Sequence, residues 1–296
     1  MNENEILRRT ARSFYLTIRL LPRSLRDDIA LAYLLARATD TIADASSAPE
    51  EQRLGLLRAA RASLGRPSIA SYDPGVWARW QRDAAERQLL VALPGLWARL
   101  GERGDGLVAG VLDRILEGQI FDLERFGSDA APLCDEELER YTYLVAGSVG
   151  EFWTDLCAAR LGDFARDPAD LMRQRARHYG QALQLVNILR DRHMDAALGR
   201  IYVTEADAGR WTEQATAWLG EGADYCAALR SGRLRYATLL PALLGWRTLS
   251  LVAVQPPGLL TPSKVSRGEL RQWMWRALPV WWSSERVRRL AAVCSE

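Results

Sequence analysis

Apolar residues recur at three- and four-residue intervals along almost the whole chain, and alternating β-branched runs of strand length joined by hairpin turns are hard to find. This periodicity constrains the fold more than any other feature. A 3.6-residue apolar period buries a continuous stripe only when the segment is helical. An all-α fold is therefore expected. Breaks rich in Gly, Pro, Ser or Asp fall at residues 64–74, 94–106, 162–168 and 255–263, each short enough to join packed helices. None has the composition of an interdomain linker, and no fixed-period repeat or low-complexity tract is present. A single helical domain over residues 1–296 is the economical reading, with ample length to bury a sizeable core.

Charge and composition remove several function classes. The chain carries 39 Lys+Arg against 37 Asp+Glu, a formal charge of +2, which lacks the cationic surplus of a protein whose main ligand is nucleic acid. Lys264 is the only lysine, so there is no G-x-x-x-x-G-K-[ST] phosphate loop and a Schiff base could involve only Lys264. Cys134, Cys157, Cys226 and Cys294 are widely spaced and form no C-x-x-C pair, which fits a reducing compartment. Residues 1–5 are polar and acidic where a secretory signal would be basic and then apolar, and a cytoplasmic location is expected. The longest apolar stretch, 238–254, is interrupted by Pro241 and Arg247 and falls short of the ~20 residues of a spanning helix. It reads as a buried core helix.

Two helical segments carry an unusual distribution of acids. Over residues 24–46, where Ser24 and Asp27 stand in a capping-box-like relation, Tyr33, Arg37, Asp40 and Asp44 fall within about 60° of one another at ~100° per residue. Over residues 179–197, Gln184, Asn187, Asp191 and Asp195 share a stripe about 80° wide. Each stripe is a D-x-x-x-D among apolar neighbours, an arrangement that costs stability by like-charge repulsion unless a cation joins the acids. Mg²⁺ is such a cation, since it is held by one or two carboxylates and bridges them to substrate phosphates. Two stripes facing one cavity would make a site for diphosphate esters. Solvated surface acids would give the same spacing.

Four stretches resemble the squalene and phytoene synthases, enzymes that join two prenyl diphosphates head to head: Arg12-Ser13-Phe14, YLLARATDTIAD from Tyr33 to Asp44, YTYLVAGSVG from Tyr141 to Gly150, and QLVNILRDRHMD from Gln184 to Asp195. The resemblance implies an all-α isoprenoid synthase fold with the aspartate motifs on facing helices across a hydrophobic cavity. It further implies that Asp40, Asp44, Asp191 and Asp195 bind a Mg²⁺–diphosphate cluster. Tyr33, Arg37, Gln184, Asn187 and Arg190 would contact diphosphate or metal, and Ser13 and Phe14 would lie near the substrate. Arg190 lies more than a right angle off the helical stripe, so the family supports it and the spacing does not. Tyr141 would stand beside the reacting carbons, where a phenol can stabilise a carbocation through its ring face and relay a proton to departing diphosphate. A core tyrosine with a satisfied hydroxyl is the structural alternative. Ala146, Gly147, Ser148 and Gly150 are small for a helix and permit close approach of backbone or substrate.

The implied reaction couples two farnesyl diphosphates through presqualene diphosphate. Reduction by NADPH then gives squalene, and proton loss gives dehydrosqualene- or phytoene-type products. The tyrosine-led motif, Tyr236 with the apolar run after it, and 264–268 (KVSRG) look like squalene synthase stretches, with Lys264 and Arg267 as candidate contacts for a cofactor phosphate. Departures are His193 and Met194, the latter where the family's second motif commonly has another acid, and Val203-Thr204 where Leu-Pro is common. Trp273, Trp275, Trp281 and Trp282 lie among arginines over 271–289, a mixture that suits a helix at a membrane surface or one capping the core. The second is favoured, and the protein is expected to be cytoplasmic or peripheral to the inner face of the membrane. Farnesyl diphosphate is the expected partner and nucleic acid is not. A non-reductive synthase is the alternative enzyme, and a catalytically silent helical scaffold is the alternative outside enzymes.

Overall fold

The structure is a computed structural model that describes residues 2–11, 13–104, 106–128, 131–254 and 265–295, with the side chains of Ser13, Phe14, Ser128, Arg267 and Ser295 outside that description. Among the described residues no strand forms, and one isolated bridge joins Ala165 to Leu229. The all-α expectation holds. Two compact units divide the chain at residues 129/130.

The first unit contains α1 (Glu3–Ala11), α2 (Ser13–Leu20), α3 (Arg23–Ala43), α4 (Glu50–Ala62), α5 (Pro74–Arg79), α6 (Ala84–Gly101) and α7 (Leu107–Ser128). α3 packs against α6 and α7 through Leu31, Leu34, Leu35, Ala38 and Ile42, all nearly inaccessible to solvent. Each such leucine contributes about 1.5–3 kcal/mol of burial, which orients the stripe bearing Tyr33, Arg37 and Asp40 away from that core. The start of α3 differs from the sequence expectation: Pro22 occupies the N-cap and no side chain caps the helix, so Ser24 and Asp27 form no capping box. The next residue, Asp28, is buried and pairs with Arg103. The break expected from residue 94 also moves. α6 continues through Pro94 to Gly101, because Leu89, Leu90, Leu93, Leu96 and Trp97 form one buried face across it. Burying that face outweighs the roughly 3 kcal/mol that an interior proline costs.

The second unit contains α8 (Asp135–Thr142), a π-helical turn (Tyr143–Gly147), α9 (Ser148–Leu161), α10 (Ala169–Ala197), α11 (Ala208–Ala228), α12 (Gly232–Ala253), α13 (Arg267–Ala277), a 3₁₀ turn (Leu278–Trp281) and α14 (Glu285–Ser295). α10 is the hub, touching α8, the π turn, α9, α11 and α12. Its contacts with α9 and the π turn are made backbone to backbone: a Cβ on Gly150 of α9 would fall onto the carbonyl of Ala176, and one on Gly180 onto the carbonyl of Ala146 in the turn. α10 ends at Gly199, whose φ of +82° is a left-handed conformation that glycine adopts without strain. The apolar stretch from 238 is, as expected, a core helix: α12 buries Leu239, Leu240, Leu243, Trp246 and Leu249 around Pro241. Among the described residues no helix is long and apolar enough to cross a membrane. The break expected at 255–263 lies outside the described residues.

Candidate active site

The first stripe is organised by one guanidinium. Arg37 Nη1 donates to Asp40 Oδ2 at 2.7 Å, one turn along α3, and Arg37 Nη2 donates to Glu86 Oε1 at 2.6 Å in the first turn of α6. Asp83 caps α6, its Oδ1 accepting from the backbone N–H groups of Ala85 (2.7 Å) and Glu86 (3.1 Å). A polar cleft of about 240 Å³ opens here, lined by Arg9, Thr10, Tyr33, Arg37, Asp83, Ala85 and Glu86. The Asp40 carboxyl is pushed up to about 7, first by burial of its charge and next by the nearby Asp44, against the opposing pull of Arg37. Its side chain still has 42% of its surface open to solvent, so it sits in a recess and not in a sealed core. Asp44 terminates α3 as its C-cap and is exposed, and Tyr33 is half-buried.

The second stripe lies on α10. Gln184, Asp191 and Asp195 are half-buried and Asn187 is exposed. Arg190 grips its own neighbour, with Nε to Asp191 Oδ1 at 2.9 Å and Nη2 to Asp191 Oδ2 at 2.5 Å. Although Arg190 starts off the stripe, a side chain of that length wraps around the helix and makes the two-pronged contact with Asp191 that a planar guanidinium favours. Arg192 turns the other way, to Glu205 at 3.0 and 3.2 Å. The backbone carbonyl of Asp195 accepts from the N–H groups of Leu198 and Arg200 where α10 ends. His193 is half-buried and Met194 is exposed.

Tyr141 lies at the end of α8, its ring stacked on that of Tyr202 with centroids 5.2 Å apart and planes 22° from parallel. Tyr202 is nearly buried and belongs to the G-R-I-Y stretch that follows the second aspartate motif. Immediately after α8 the chain widens into the π turn, an irregularity often found at functional sites. Gln181 of α10, buried, reaches this turn and donates to the Glu139 carbonyl at 3.2 Å and Thr142 Oγ1 at 3.3 Å. Of the two uses open to the small residues of this motif, the structure displays one: Gly147 and Gly150 admit α10, and a Cβ on Gly147 would meet Gln181 Cγ at 2.9 Å. Glu86, Gln181 and Tyr202 were not singled out from sequence. Asp83-x-x-Glu86 signals a helix start, but nothing local points Glu86 at Arg37.

Several expected contacts lie elsewhere. Ser13 opens α2, but its side chain and that of Phe14 lie outside the description; so do Lys264 altogether and the side chain of Arg267, the first residue of α13. The Trp-rich run is not one helix. It breaks at the Leu278–Trp281 turn, where Arg235 donates to the Val280 carbonyl at 2.9 Å and Tyr236 packs its ring on Trp281. Trp273 and Trp281 are half-buried, whereas Trp275 and Trp282 are 72% and 78% exposed. Among the described residues no three His, Cys, Asp or Glu side chains converge as a ready-made metal cage. The pair Asp40 and Asp44, one turn apart at the end of α3, fits Mg²⁺, which takes one or two carboxylates, better than a metal that demands a full protein shell.

Comparison with known proteins agrees with these features. The model of the squalene/phytoene synthase family matches residues 7–210. The bifunctional lycopene cyclase/phytoene synthase of Colletotrichum graminicola is 32% identical over 209 residues, 67% of this chain and 33% of its own. The presqualene diphosphate synthase of Rhodopseudomonas palustris is 30% identical over 198 residues, 64% of this chain and 57% of its own. The chain thus spans only a third to somewhat over half the length of these curated relatives. Among solved structures, TcSQS with a bound ligand superposes with a TM-score of 0.77 at 21% identity, covering 99% of this chain and 89% of its own. A dehydrosqualene synthase complex covers 93% of both chains with a TM-score of 0.63 at 22% identity. With the family model spanning more than half of the sequence and both aspartate motifs inside the match, the chain belongs to the squalene/phytoene synthase family.

Proposed function

We propose that the protein condenses two farnesyl diphosphates head to head through presqualene diphosphate and, with NADPH as hydride donor, completes squalene. The observation that carries this reading is the pair of D-x-x-x-D motifs, Asp40 and Asp44 at the end of α3 and Asp191 and Asp195 near the end of α10, both inside the stretch that the family model matches; carboxylates one turn apart repel until a divalent cation bound to diphosphate joins them. Mg²⁺, when bound by Asp40, Asp44, Asp191 and Asp195, neutralises the departing diphosphate. Arg37 and Arg190 add positive charge beside Asp40 and Asp191, and Tyr33, Gln184 and Asn187 orient the diphosphate oxygens. Ser13 and Phe14 lie along the prenyl chain. Tyr141, its ring held by Tyr202, offers its face to the allylic cation and its hydroxyl as a proton relay. Lys264 and Arg267 would supply the positive charge for the phosphate of NADPH. Residues 1–296 would then make up one prenyl synthase domain.

A second reading stops earlier, at presqualene diphosphate, or finishes without reduction as dehydrosqualene, hydroxysqualene or phytoene. The likeness to a presqualene diphosphate synthase and Met194 in place of an acid favour it. Purified protein incubated with farnesyl diphosphate and Mg²⁺, with and without NADPH, separates the two by product mass. Squalene formed only with NADPH supports the reductive reading; the other products in both mixtures replace it. No Mg²⁺-dependent diphosphate release at all would make the chain a silent helical scaffold. The protein is proposed to be cytoplasmic and to touch the inner membrane face through Trp275 and Trp282, whose exposed indoles stand among arginines. Replacing both by Ala is expected to lower sedimentation with anionic vesicles several-fold and leave sedimentation with neutral vesicles unchanged.

A further inference from the structure

The divided grip of Arg37 has a use beyond diphosphate contact. Its two terminal nitrogens are committed to two carboxylates on different helices, Asp40 at 2.7 Å and Glu86 at 2.6 Å. Asp40 is a proposed metal ligand, and an arginine that gave itself wholly to Asp40, as Arg190 gives itself to both oxygens of Asp191, would compete with the cation for the same oxygens. We propose that Glu86 is a positioning residue that draws one prong of Arg37 away from Asp40, so that Arg37 cannot close both prongs on Asp40 and compete fully with Mg²⁺, and stays extended along the polar cleft toward diphosphate. The inference rests on the metal–diphosphate reading of the first stripe.

Three observations favour this role over that of an ordinary first-turn acid. An acid near a helix N-terminus is stabilised by the macrodipole wherever its side chain points, yet Glu86 spends its oxygen on a side chain 49 residues away in sequence. The backbone that carries Glu86 is immobilised by Asp83, whose Oδ1 takes the N–H groups of Ala85 and Glu86. And Glu86, only 25% exposed, lines the same cleft as Arg37 and Tyr33, so the pair faces the space a ligand would enter. Fixed support of this kind sets a charged group within the tolerance that binding demands.

The test compares the full-length wild type with Glu86→Gln and Glu86→Asp by thermal unfolding and by calorimetric titration, each at graded Mg²⁺ with inorganic diphosphate present. Glu86→Gln removes the negative charge and keeps the shape. Its Arg37 then closes both prongs on Asp40, and the Mg²⁺ concentration for half-maximal stabilisation is expected to rise about tenfold, the scale of one charge-assisted hydrogen bond. Glu86→Asp, which keeps the charge, should recover part of that rise. Unchanged Mg²⁺ dependence in Glu86→Gln would overturn the proposal, and so would an equal loss of stability at every Mg²⁺ concentration, the mark of a merely structural acid. If the wild type itself gains no stability from Mg²⁺ and diphosphate, the metal reading of the stripe fails and takes this inference with it. A response in the wild type with no difference in the variant sinks the inference alone.

Discussion

The two aspartate helices solve one electrostatic problem in different ways. On α10, Asp191 is gripped by the residue immediately before it, both prongs of Arg190 closing on both carboxylate oxygens. On α3, Arg37 divides itself between Asp40 and Glu86 of another helix, and Asp40 is left with its charge disfavoured. The second motif is electrostatically local and travels with its sequence. The first is complete only when α6 is packed on α3. α10 relies on tertiary structure in another respect, since its position depends on glycine contacts with α9 and the π turn.

The largest expected effects treat the motifs alike. Asp40→Asn and Asp191→Asn should each lower turnover of farnesyl diphosphate by roughly a thousandfold with the fold retained, because an amide cannot supply the charge of a preorganised site. Product assays beside circular dichroism check this, and full activity of either variant at ordinary Mg²⁺ would remove the central claim. Next in size is Gly150→Ala, whose Cβ would enter the Ala176 carbonyl. Driving α9 and α10 apart should cost about 3 kcal/mol, read as a lowered midpoint of denaturant unfolding. Arg190→Ala should raise KM for farnesyl diphosphate about tenfold, and its effect on the midpoint should be small because the contact is half-exposed.

The smallest effect concerns pH and belongs to the first helix. Because the Asp40 pKa in the folded state, about 7, lies above its ordinary value of 3.8, the folded chain holds a proton there that the unfolded chain has lost. Its contribution to stability is therefore fullest below pH 3.8 and falls as pH rises toward 7. Partial exposure keeps the effect modest. In metal-free buffer Asp40→Asn should flatten that slope and raise the melting temperature at pH 8, while Mg²⁺ with diphosphate should reverse the order of wild type and variant. Melting curves across pH 5–8 show whether it does.

Some of this was legible in the chain and some was not, for identifiable reasons. Tyr33, Arg37, Asp40 and Asp44 could be placed on one face, and Gln184, Asn187, Asp191 and Asp195 on another, because a helical period fixes which residues share a face. The period says less about Arg190, because it locates Cβ and not the far end of a long side chain, which here reaches Asp191. Pro94 reads as a break because its local cost is visible in sequence, while the buried face that overrides it is not. The sequence does not mark Glu86 as the partner of Arg37, or Tyr202 of the G-R-I-Y stretch as the partner of Tyr141, since each acts on a residue distant along the chain.

The sequence by itself determined the all-helical class, the two acid stripes and the motifs that define the family, all of which depend on residue type and short-range spacing. Only the tertiary structure decided which carboxylate holds Arg37, which ring supports Tyr141, and that Gly150 and Gly180 admit a neighbouring backbone. Periodicity is a property of one helix, whereas the partner of a charge, a ring or a missing Cβ is chosen by whichever helix packs beside it.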